Sequence, residues 1–100
     1  MPDIRVILPQ HLHVLAGCPR EVRVGVSGTV TQASLLDALE STFPKLLGTL
    51  RDHGSSRRRP MVRFFACQED LSNDPPDTPL PANVADGTEP FCIIGAIAGG

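Results

Sequence analysis

The residues with the clearest chemical potential stand at the end of the chain, where Gly99 and Gly100 follow Ala96, Ile97 and Ala98. Glycine has no Cβ, contributes nothing to packing and loses more conformational entropy than any other residue when it is ordered. A double glycine directly after an apolar run, residues 91–94, is typical of a thin, flexible tail. Such a tail enters a narrow site on another protein and offers its α-carboxylate for reaction. The alternatives are a cloning boundary or an ordinary frayed terminus.

Other candidate reactive side chains lack the partners that their chemistry requires. His11 and His13, with Cys18 nearby, are too few for a metal site without a Cys-x-x-Cys pair or clustered acids. Cys67 and Cys92 have no neighbouring base in the sequence, which favours small, half-buried apolar roles. The chain contains no phosphate-binding glycine loop and no Gly-x-Ser-x-Gly motif. We therefore expect no metal, no bound cofactor and no enzymatic activity of its own.

The composition limits the class of protein. One hundred residues, 41% of them hydrophobic, are enough for one domain with a core. No apolar run approaches the length that crosses a membrane, and no signal peptide is recognisable. Three cysteines without a secretory signal favour reduced thiols and a cytoplasmic location. Four Phe, no Trp or Tyr and a net charge of −2 argue against nucleic-acid binding.

The charges are distributed unevenly along the chain. No Lys or Arg follows Arg63, whereas six acidic residues do: Glu69, Asp70, Asp74, Asp77, Asp86 and Glu89. A solvated face is the simpler interpretation. The alternative is an acidic surface that steers the domain toward a basic partner.

Two strands are predicted in the first quarter of the chain. Residues 4–8 place Ile4, Val6 and Leu8 on one face. Residues 21–26 alternate most cleanly, with valine at every second position. The intervening residues, which end at Ala16-Gly17, are predicted to form a loop, and the two strands to form an antiparallel hairpin.

An amphipathic helix is predicted next. Thr29 and Thr31 are both suitable caps, and Gln32 stands at capping-box spacing from Thr29. The apolar stripe consists of Leu35, Leu36, Leu39, Phe43 and Leu47, and Asp37 and Glu40 lie opposite. We expect this helix to pack on a sheet. Pro44 either ends it or begins a short second turn that runs to Leu50.

The sequence of the second half of the chain predicts short strands between loops. Residues 51–59 form a polar loop, which is either solvated or docks a partner. Residues 61–66 are predicted to be a strand that turns at Cys67-Gln68 into a short strand at 69–71. The proline-rich residues 72–83 exclude regular structure. Asp86-Gly87 is a turn signal before the last strand.

Alternation along the last strand separates a core face from an outer face. Phe91 and Ile93 are predicted to face the core, which leaves Ile94 on the outside together with Ile7 and Phe65. An exposed apolar surface beside a functional tail is typical of a partner site. Burial of these residues by a loop is the competing interpretation.

The order of elements and a series of short motifs resemble a known family. The motifs are residues 4–8, Leu15-Ala16-Gly17, Gly28-Thr29-Val30, Leu36-Asp37-Ala38-Leu39, Val62-Arg63, Glu69-Asp70-Leu71, Asp77-Thr78-Pro79-Leu80, Asp86-Gly87 and Ala96-Ile97-Ala98-Gly99-Gly100. Together, and over nearly the whole chain, they resemble the prokaryotic ubiquitin-like sulfur carriers. That family includes the small subunit of molybdopterin synthase, the thiamine-pathway carrier and carriers that feed a cysteine synthase.

The chain departs from the family pattern at four places. Cys67-Gln68 stands where Asn-Gly is common, and Gly95 stands where a proline is usual. Residues 81–85 resemble an insertion, and residues 88–90 are one residue longer than usual.

The resemblance implies an α+β domain of the β-grasp type, a mixed sheet crossed by one main helix. It would comprise residues 1–95, with residues 96–100 as a flexible tail. It also implies that a partner enzyme uses ATP to adenylate Gly100, and that a persulfide then yields a thiocarboxylate. This thiocarboxylate would pass its sulfur to a second, biosynthetic enzyme. Gly99, Ala98 and Ile97 would lie in the partner's channel.

Two other functions remain open at this point. One is a ubiquitin-like modifier conjugated through Gly100, although Ile97-Ala98 is apolar where modifiers that resemble ubiquitin carry arginine. The other is a β-grasp interaction module whose tail is never activated. Chain length and the Arg57-Arg58-Arg59 loop favour the molybdopterin and cysteine-synthase carriers over the shorter thiamine type.

Overall fold

Five strands and three α-helices make up the part of the chain that the computed structural model describes, residues 3–51, 58 and 62–95. The elements in order are β1 (Asp3–Ile7), α1 (Gln10–Ala16), β2 (Glu21–Gly25), α2 (Gln32–Thr42), a 3₁₀ turn (Pro44–Leu46), β3 (Val62–Ala66), β4 (Glu69–Asp70), α3 (Ala82–Ala85) and β5 (Phe91–Gly95). The strands form one sheet in the order β2-β1-β5-β3-β4. Only β1 and β5 are parallel, so the sheet is mixed and the α+β prediction is confirmed.

The predicted hairpin of β1 and β2 is present, but its connection contains a helix rather than a loop. Asp3 pairs with Gly25 at one end of the hairpin and Ile7 pairs with Glu21 at the other. Between the strands, α1 buries Leu12. Gly17 ends this helix at φ +70°, in the left-handed region that glycine adopts without a steric penalty. The prediction of a loop was wrong, since these seven residues form about two turns of helix that pack on the core through Leu12.

The start of α2 is fixed by a reciprocal cap. The Thr31 hydroxyl accepts the Ser34 amide at 3.0 Å, and the Ser34 hydroxyl accepts the Thr31 amide at 2.8 Å. Thr31 is therefore the cap, and Thr29 is not. Gln32, predicted as the capping partner, is instead buried and donates to the Leu71 carbonyl.

The predicted stripe of α2 is correct in its first half and wrong in its second. Leu35, Leu36 and Leu39 are buried, but the helix ends at Thr42. Pro44 begins the short second turn, which is the second of the two predicted outcomes. Because Phe43 has already left helical geometry, Leu47 is 48% exposed, and Leu46 enters the core in its place.

Glu40, predicted on the solvent side, is buried. Its carboxylate accepts from Arg51 at 3.1 and 2.9 Å, so the chain after α2 is tied back to the helix. The exposed Asp37 contacts the same guanidinium. Hydrogen bonds to Glu40 and Asp37 hold the pKa of Arg51 above its usual value against the opposing effect of burial. The buried carboxylate of Glu40 is thus paired with an opposite charge, as buried charges in proteins usually are.

A two-residue turn connects β3 and β4. Ala66 pairs with Glu69, and Cys67 and Gln68 lie between them with φ of +52° and +66°. Both residues are therefore in the left-handed region without being glycine. The predicted tight turn is confirmed, and β4 is one residue shorter than predicted.

Residues 81–90 pack onto β1 and lead into β5. Val84 of α3 is fully buried. Arg5 of β1 donates to the Thr88 carbonyl at 3.0 Å. At Gly87, φ is +84° and an added Cβ would lie 2.8 Å from the Asp3 carbonyl oxygen, so only glycine fits this turn. The segment that resembles an insertion is thus part of the core. None of the described helices is long and apolar enough to cross a bilayer.

Candidate functional site

The last strand leads directly to the terminal glycines, and it lies in the interior of the sheet rather than at an edge. β5 pairs in parallel with β1 and antiparallel with β3. Phe91 and Ile93 are buried as predicted, with Phe64 against Phe91 at a ring-centroid distance of 5.4 Å. Ile94 is on the opposite face and is 48% exposed. The strand is therefore anchored by its inner side chains and presents its outer ones.

The strand register brings three outer side chains into one row. Cys92 pairs with Ile7 on one side and with Phe65 on the other. All three are half-buried, and Ile94 lies two residues further toward the end of β5. We call Ile7, Phe65, Cys92 and Ile94 the outer patch. The sheet brings together every described residue that the sequence predicted for partner binding.

Charged residues flank the outer patch at both sides. Arg63, which pairs with Ile94 in the ladder, donates to Asp70 at 3.2 Å. On the other side Arg5 donates to Glu21 at 3.1 Å. The apolar centre with a polar rim is the usual composition of a protein–protein interface.

Two of the cysteines, Cys18 and Cys92, are not activated as nucleophiles. Burial raises the pKa of the Cys92 thiol, and the nearby Arg20 and Arg5 only partly offset this effect. Burial also raises the pKa of Cys18. Because the thiolate is the reactive form, a raised pKa makes both thiols less reactive. Cys92 acts as an apolar member of the outer patch.

A groove of about 290 Å³ runs beside the end of β5. It is lined by Ile7, Leu8, Pro9, Arg20 and residues 92–95. A second depression, of about 410 Å³, shares Pro9 and Arg20 and adds Gln10 and His13. Sequence reasoning missed this groove because its lining residues come from segments that are distant in the sequence.

Gly95 is the last described residue, and its helix-facing side is covered by α1. A Cβ built on Gly95 would lie 2.7 Å from Cε1 and 3.2 Å from Nε2 of His11, and 3.6 Å from Cγ of Pro9. Distances under 3.0 Å are not tolerated by real Cβ atoms. The His11 ring therefore fills the space that a side chain at position 95 would need.

The histidines of α1 do not form a metal site with Cys18. Nδ1 of His13 donates to the Cys18 backbone carbonyl at 3.1 Å, which ties the helix to the following loop. Within the described residues no group of three His, Cys, Asp or Glu side chains is placed to hold a metal ion.

Several predicted features lie outside the described residues. These are the tail residues Ile97, Ala98, Gly99 and Gly100, the division between domain and tail after residue 95, and most of the polar loop at 51–59. Their assigned roles stay predictions.

The sheet order, the single parallel strand pair and the helix packed across one face define a ubiquitin-like β-grasp fold. No protein-family model matches the chain, and no curated protein matches it significantly. Solved structures do match over almost the whole chain.

SAMP1 from Haloferax volcanii has a TM-score of 0.75 and 22% identity, covering 98% of this chain and 99% of that one. A chain of the Amycolatopsis orientalis BexX/CysO complex has a TM-score of 0.72 and 18% identity, over 96% of this chain and 98% of that one. SAMP1 from Methanosarcina acetivorans, the small archaeal modifier protein 1, has a TM-score of 0.71 and 19% identity, over 100% of this chain and 98% of that one. At these identities the likeness establishes the β-grasp fold that the sequence predicted.

Proposed function

We propose that this protein is a sulfur carrier. Its Gly100 carboxylate is adenylated by an ATP-dependent activating enzyme and then becomes a thiocarboxylate that donates sulfur in cofactor or cysteine biosynthesis. The observation that carries the proposal is the outer patch, which is centred on β5, the strand that precedes Ala-Ile-Ala-Gly-Gly in the sequence. The structural likeness to SAMP1 and to the BexX/CysO complex supports it.

The chemistry requires nothing from this chain except its carboxylate. A carboxylate oxygen attacks the α-phosphorus of ATP and pyrophosphate leaves, which turns a poor electrophile into an acyl adenylate. A persulfide sulfur then attacks the carbonyl carbon and AMP leaves. A thiol cleaves the resulting acyl disulfide and is itself oxidised to a disulfide, which leaves the thiocarboxylate. Positioning and charge stabilisation come from the partner, so the chain is a co-substrate and not an enzyme.

The outer patch gives both partner enzymes a surface to bind. The activating enzyme and the sulfur-accepting enzyme must each hold the domain while the tail reaches their reaction centre. Ile94 is 48% exposed at the end of β5, so a partner that covers it also lies next to the origin of the tail. Burial of such apolar area supplies affinity, and the flanking ion pairs supply orientation.

The test is an activation assay read by intact mass. The chain is incubated with its cognate activating enzyme, ATP and a sulfur source. We expect replacement of one oxygen by sulfur on wild type and no change on Gly100→Val, whose side chain does not fit a channel shaped for glycine. Equal conversion of both proteins, or no conversion with an enzyme that activates another carrier, would contradict the proposal.

A second function, a ubiquitin-like modifier, is favoured by one comparison. SAMP1 is by its name a small archaeal modifier protein. In that case the activated Gly100 is transferred to a lysine amine instead of to sulfur. The same mass experiment, carried out with cell protein present, distinguishes the two functions, because a modifier appears in covalent adducts. A β-grasp interaction module would give neither product.

A further inference from the structure

The two depressions beside the end of β5 meet at Pro9 and Arg20 but differ in the side chains that line them. The groove of about 290 Å³ is otherwise lined by residues 7–8 and 92–95, which are apolar or glycine. The depression of about 410 Å³ is completed by Gln10 and His13, and we call it the polar depression. Arg20 thus places a positive charge at the border between an apolar groove and a polar depression.

Neither depression provides a carboxylate that could neutralise Arg20. No Asp or Glu is among the described residues that line them. In the polar depression, Nδ1 of His13 is already used by the Cys18 carbonyl, and the amide of Gln10 is neutral. Because a guanidinium is always charged and only donates hydrogen bonds, the group that this site lacks is an anionic acceptor.

Comparison with the other arginines shows that the charge of Arg20 is unusual in having no acidic partner. Three described arginines each donate to a carboxylate of this chain, namely Arg5, Arg51 and Arg63. Arg20 and Arg23 form no ion pair with any described residue. The Arg20 carbonyl nevertheless accepts the Leu8 amide at 2.8 Å, which fixes its backbone next to the end of β1. Its uncompensated charge is therefore held beside the groove.

Arg20 and Arg23 are both exposed but differ in their location. Arg23 lies in the middle of β2, opposite Arg5 in the ladder, and lines neither depression. Arg20 acts on the outer patch: burial raises the pKa of the Cys92 thiol, and Arg20 opposes this effect more strongly than Arg5 does. The charge of Arg20 thus lies within electrostatic reach of the outer patch, and Arg23 is a matched control.

The geometry points to the groove and Arg20 as a docking site for a partner segment that carries a carboxylate next to an apolar side chain. The apolar side chain lies in the groove against Ile7 and Ile94, and the carboxylate accepts from the Arg20 guanidinium. Arginine suits this task because its planar fork of donors matches a carboxylate and is more weakly hydrated than an ammonium group. The inference rests on the proposed function in one respect, since the partner that carries this segment is the activating enzyme bound to the outer patch.

The first test uses the free protein and two dipeptides, N-acetyl-Leu-Glu-amide and N-acetyl-Leu-Gln-amide, which differ only in charge. Binding is followed by the amide chemical shifts of residue 20 and of Ile94 during titration. We expect the acidic dipeptide to bind wild type about threefold more tightly than the neutral one, the size usual for an exposed ion pair. Arg20→Gln should abolish this preference, whereas Arg23→Gln should retain it.

The second test uses the cognate activating enzyme and isothermal titration. Arg20→Glu and Arg23→Glu change the net charge of the protein equally, so a difference between them reports on the location of the charge. We expect binding to weaken about tenfold in Arg20→Glu and to stay within about twofold of wild type in Arg23→Glu. Added salt should weaken wild-type binding more than it weakens binding of Arg20→Glu, because the ion pair is screened.

Lack of a charge preference in either test would overturn the inference, whether wild type shows it with the two dipeptides or the two glutamate variants show it with the enzyme. Shifts at residue 20 and Ile94 that follow protein concentration without any dipeptide would identify a second copy of this chain as the occupant and would also overturn it. If an enzyme that activates another carrier neither binds nor adenylates wild type, the proposed function fails. The dipeptide titration then still decides whether the groove and Arg20 take a carboxylate.

Discussion

Cys67 and Gln68 form a hairpin turn that most sequences build with glycine. Both residues have positive φ, and a two-residue turn of this kind matches the twist of the flanking strands. A residue with a Cβ in this region is strained by roughly 1–2 kcal/mol. The turn is therefore held by the pairing of β3 with β4 and not by its own preference.

Relief of this strain should stabilise the domain. We expect Gln68→Gly to raise the free energy of unfolding by about 1 kcal/mol, since glycine adopts the left-handed region without a penalty. Urea denaturation measures the change. Gln10→Gly is the control, because Gln10, the first residue of α1, does not have a positive φ and the same exchange there should not raise stability. A Gln68→Gly protein no more stable than wild type would show that the turn is not strained.

At the scale of elements, α2 depends on a cap that sequence spacing left ambiguous. Thr31 and Ser34 exchange hydrogen bonds, while Thr29 contributes only its backbone carbonyl to Ser34. In the usual capping box a Glu or Gln side chain accepts the backbone amide of the capping residue, whereas here the Ser34 hydroxyl accepts it. Because residue 34 is serine and not Glu or Gln, the capping-box spacing in the sequence did not identify Thr31 as the cap.

Loss of the cap should destabilise the protein measurably. Thr31→Ala is expected to lower the free energy of unfolding by about 1 kcal/mol, because the Ser34 amide loses its acceptor. Thr29→Ala should change it by less than about 0.5 kcal/mol, as expected for a surface substitution. Thermal and urea unfolding of the two variants test the assignment. Equal losses in the two variants would contradict it.

The sequence predicted the five strands but neither α1 nor α3, whose first residues fall in the segment 72–83 that was predicted to lack regular structure. Strand alternation is a local signal, and the valines at 22 and 24 and the isoleucines at 4 and 93 all proved to be core residues. The residues of α1 carry only one buried side chain, Leu12, so no periodic stripe marks the helix. Leu47 was misassigned for the opposite reason, since the periodic stripe continued past a helix end that backbone geometry imposes at Phe43.

On the scale of the whole molecule, one face of the sheet carries the outer patch and the other is covered by helices. Alternation predicted the sides of Ile7, Phe65 and Ile94 correctly because register in a sheet with one buried face is strongly specified. The groove beside β5 was not predictable. Its lining comes from the end of β1 and the residues just after it, from Arg20 and from β5, which are distant in the sequence and meet in the folded sheet.

A charge placed in the outer patch should weaken partner binding without unfolding the domain. We expect Ile94→Glu to weaken binding to the cognate activating enzyme about thirtyfold, the loss typical of a central apolar anchor. Val14→Glu places the same charge on α1, where the side chain is 65% exposed, and should bind as wild type does. Isothermal titration measures both affinities. Wild-type binding by Ile94→Glu would remove the outer patch from the interface.

The position of β5 between β1 and β3 has a consequence for how the protein is made. Among the described residues, the hairpin of β1 and β2 and the hairpin of β3 and β4 share no hydrogen-bonded ladder with each other, and β5 joins them in the sheet. During synthesis both hairpins leave the ribosome before the strand that joins them, and the sheet closes last through contacts that are distant in sequence. The same strand carries Cys92 and Ile94 of the outer patch and precedes the tail residues 96–100 in the sequence. Under the proposed function, a partner that contacts the outer patch and the end of β5 together binds only copies whose sheet has closed, so the order of strands makes binding depend on complete folding.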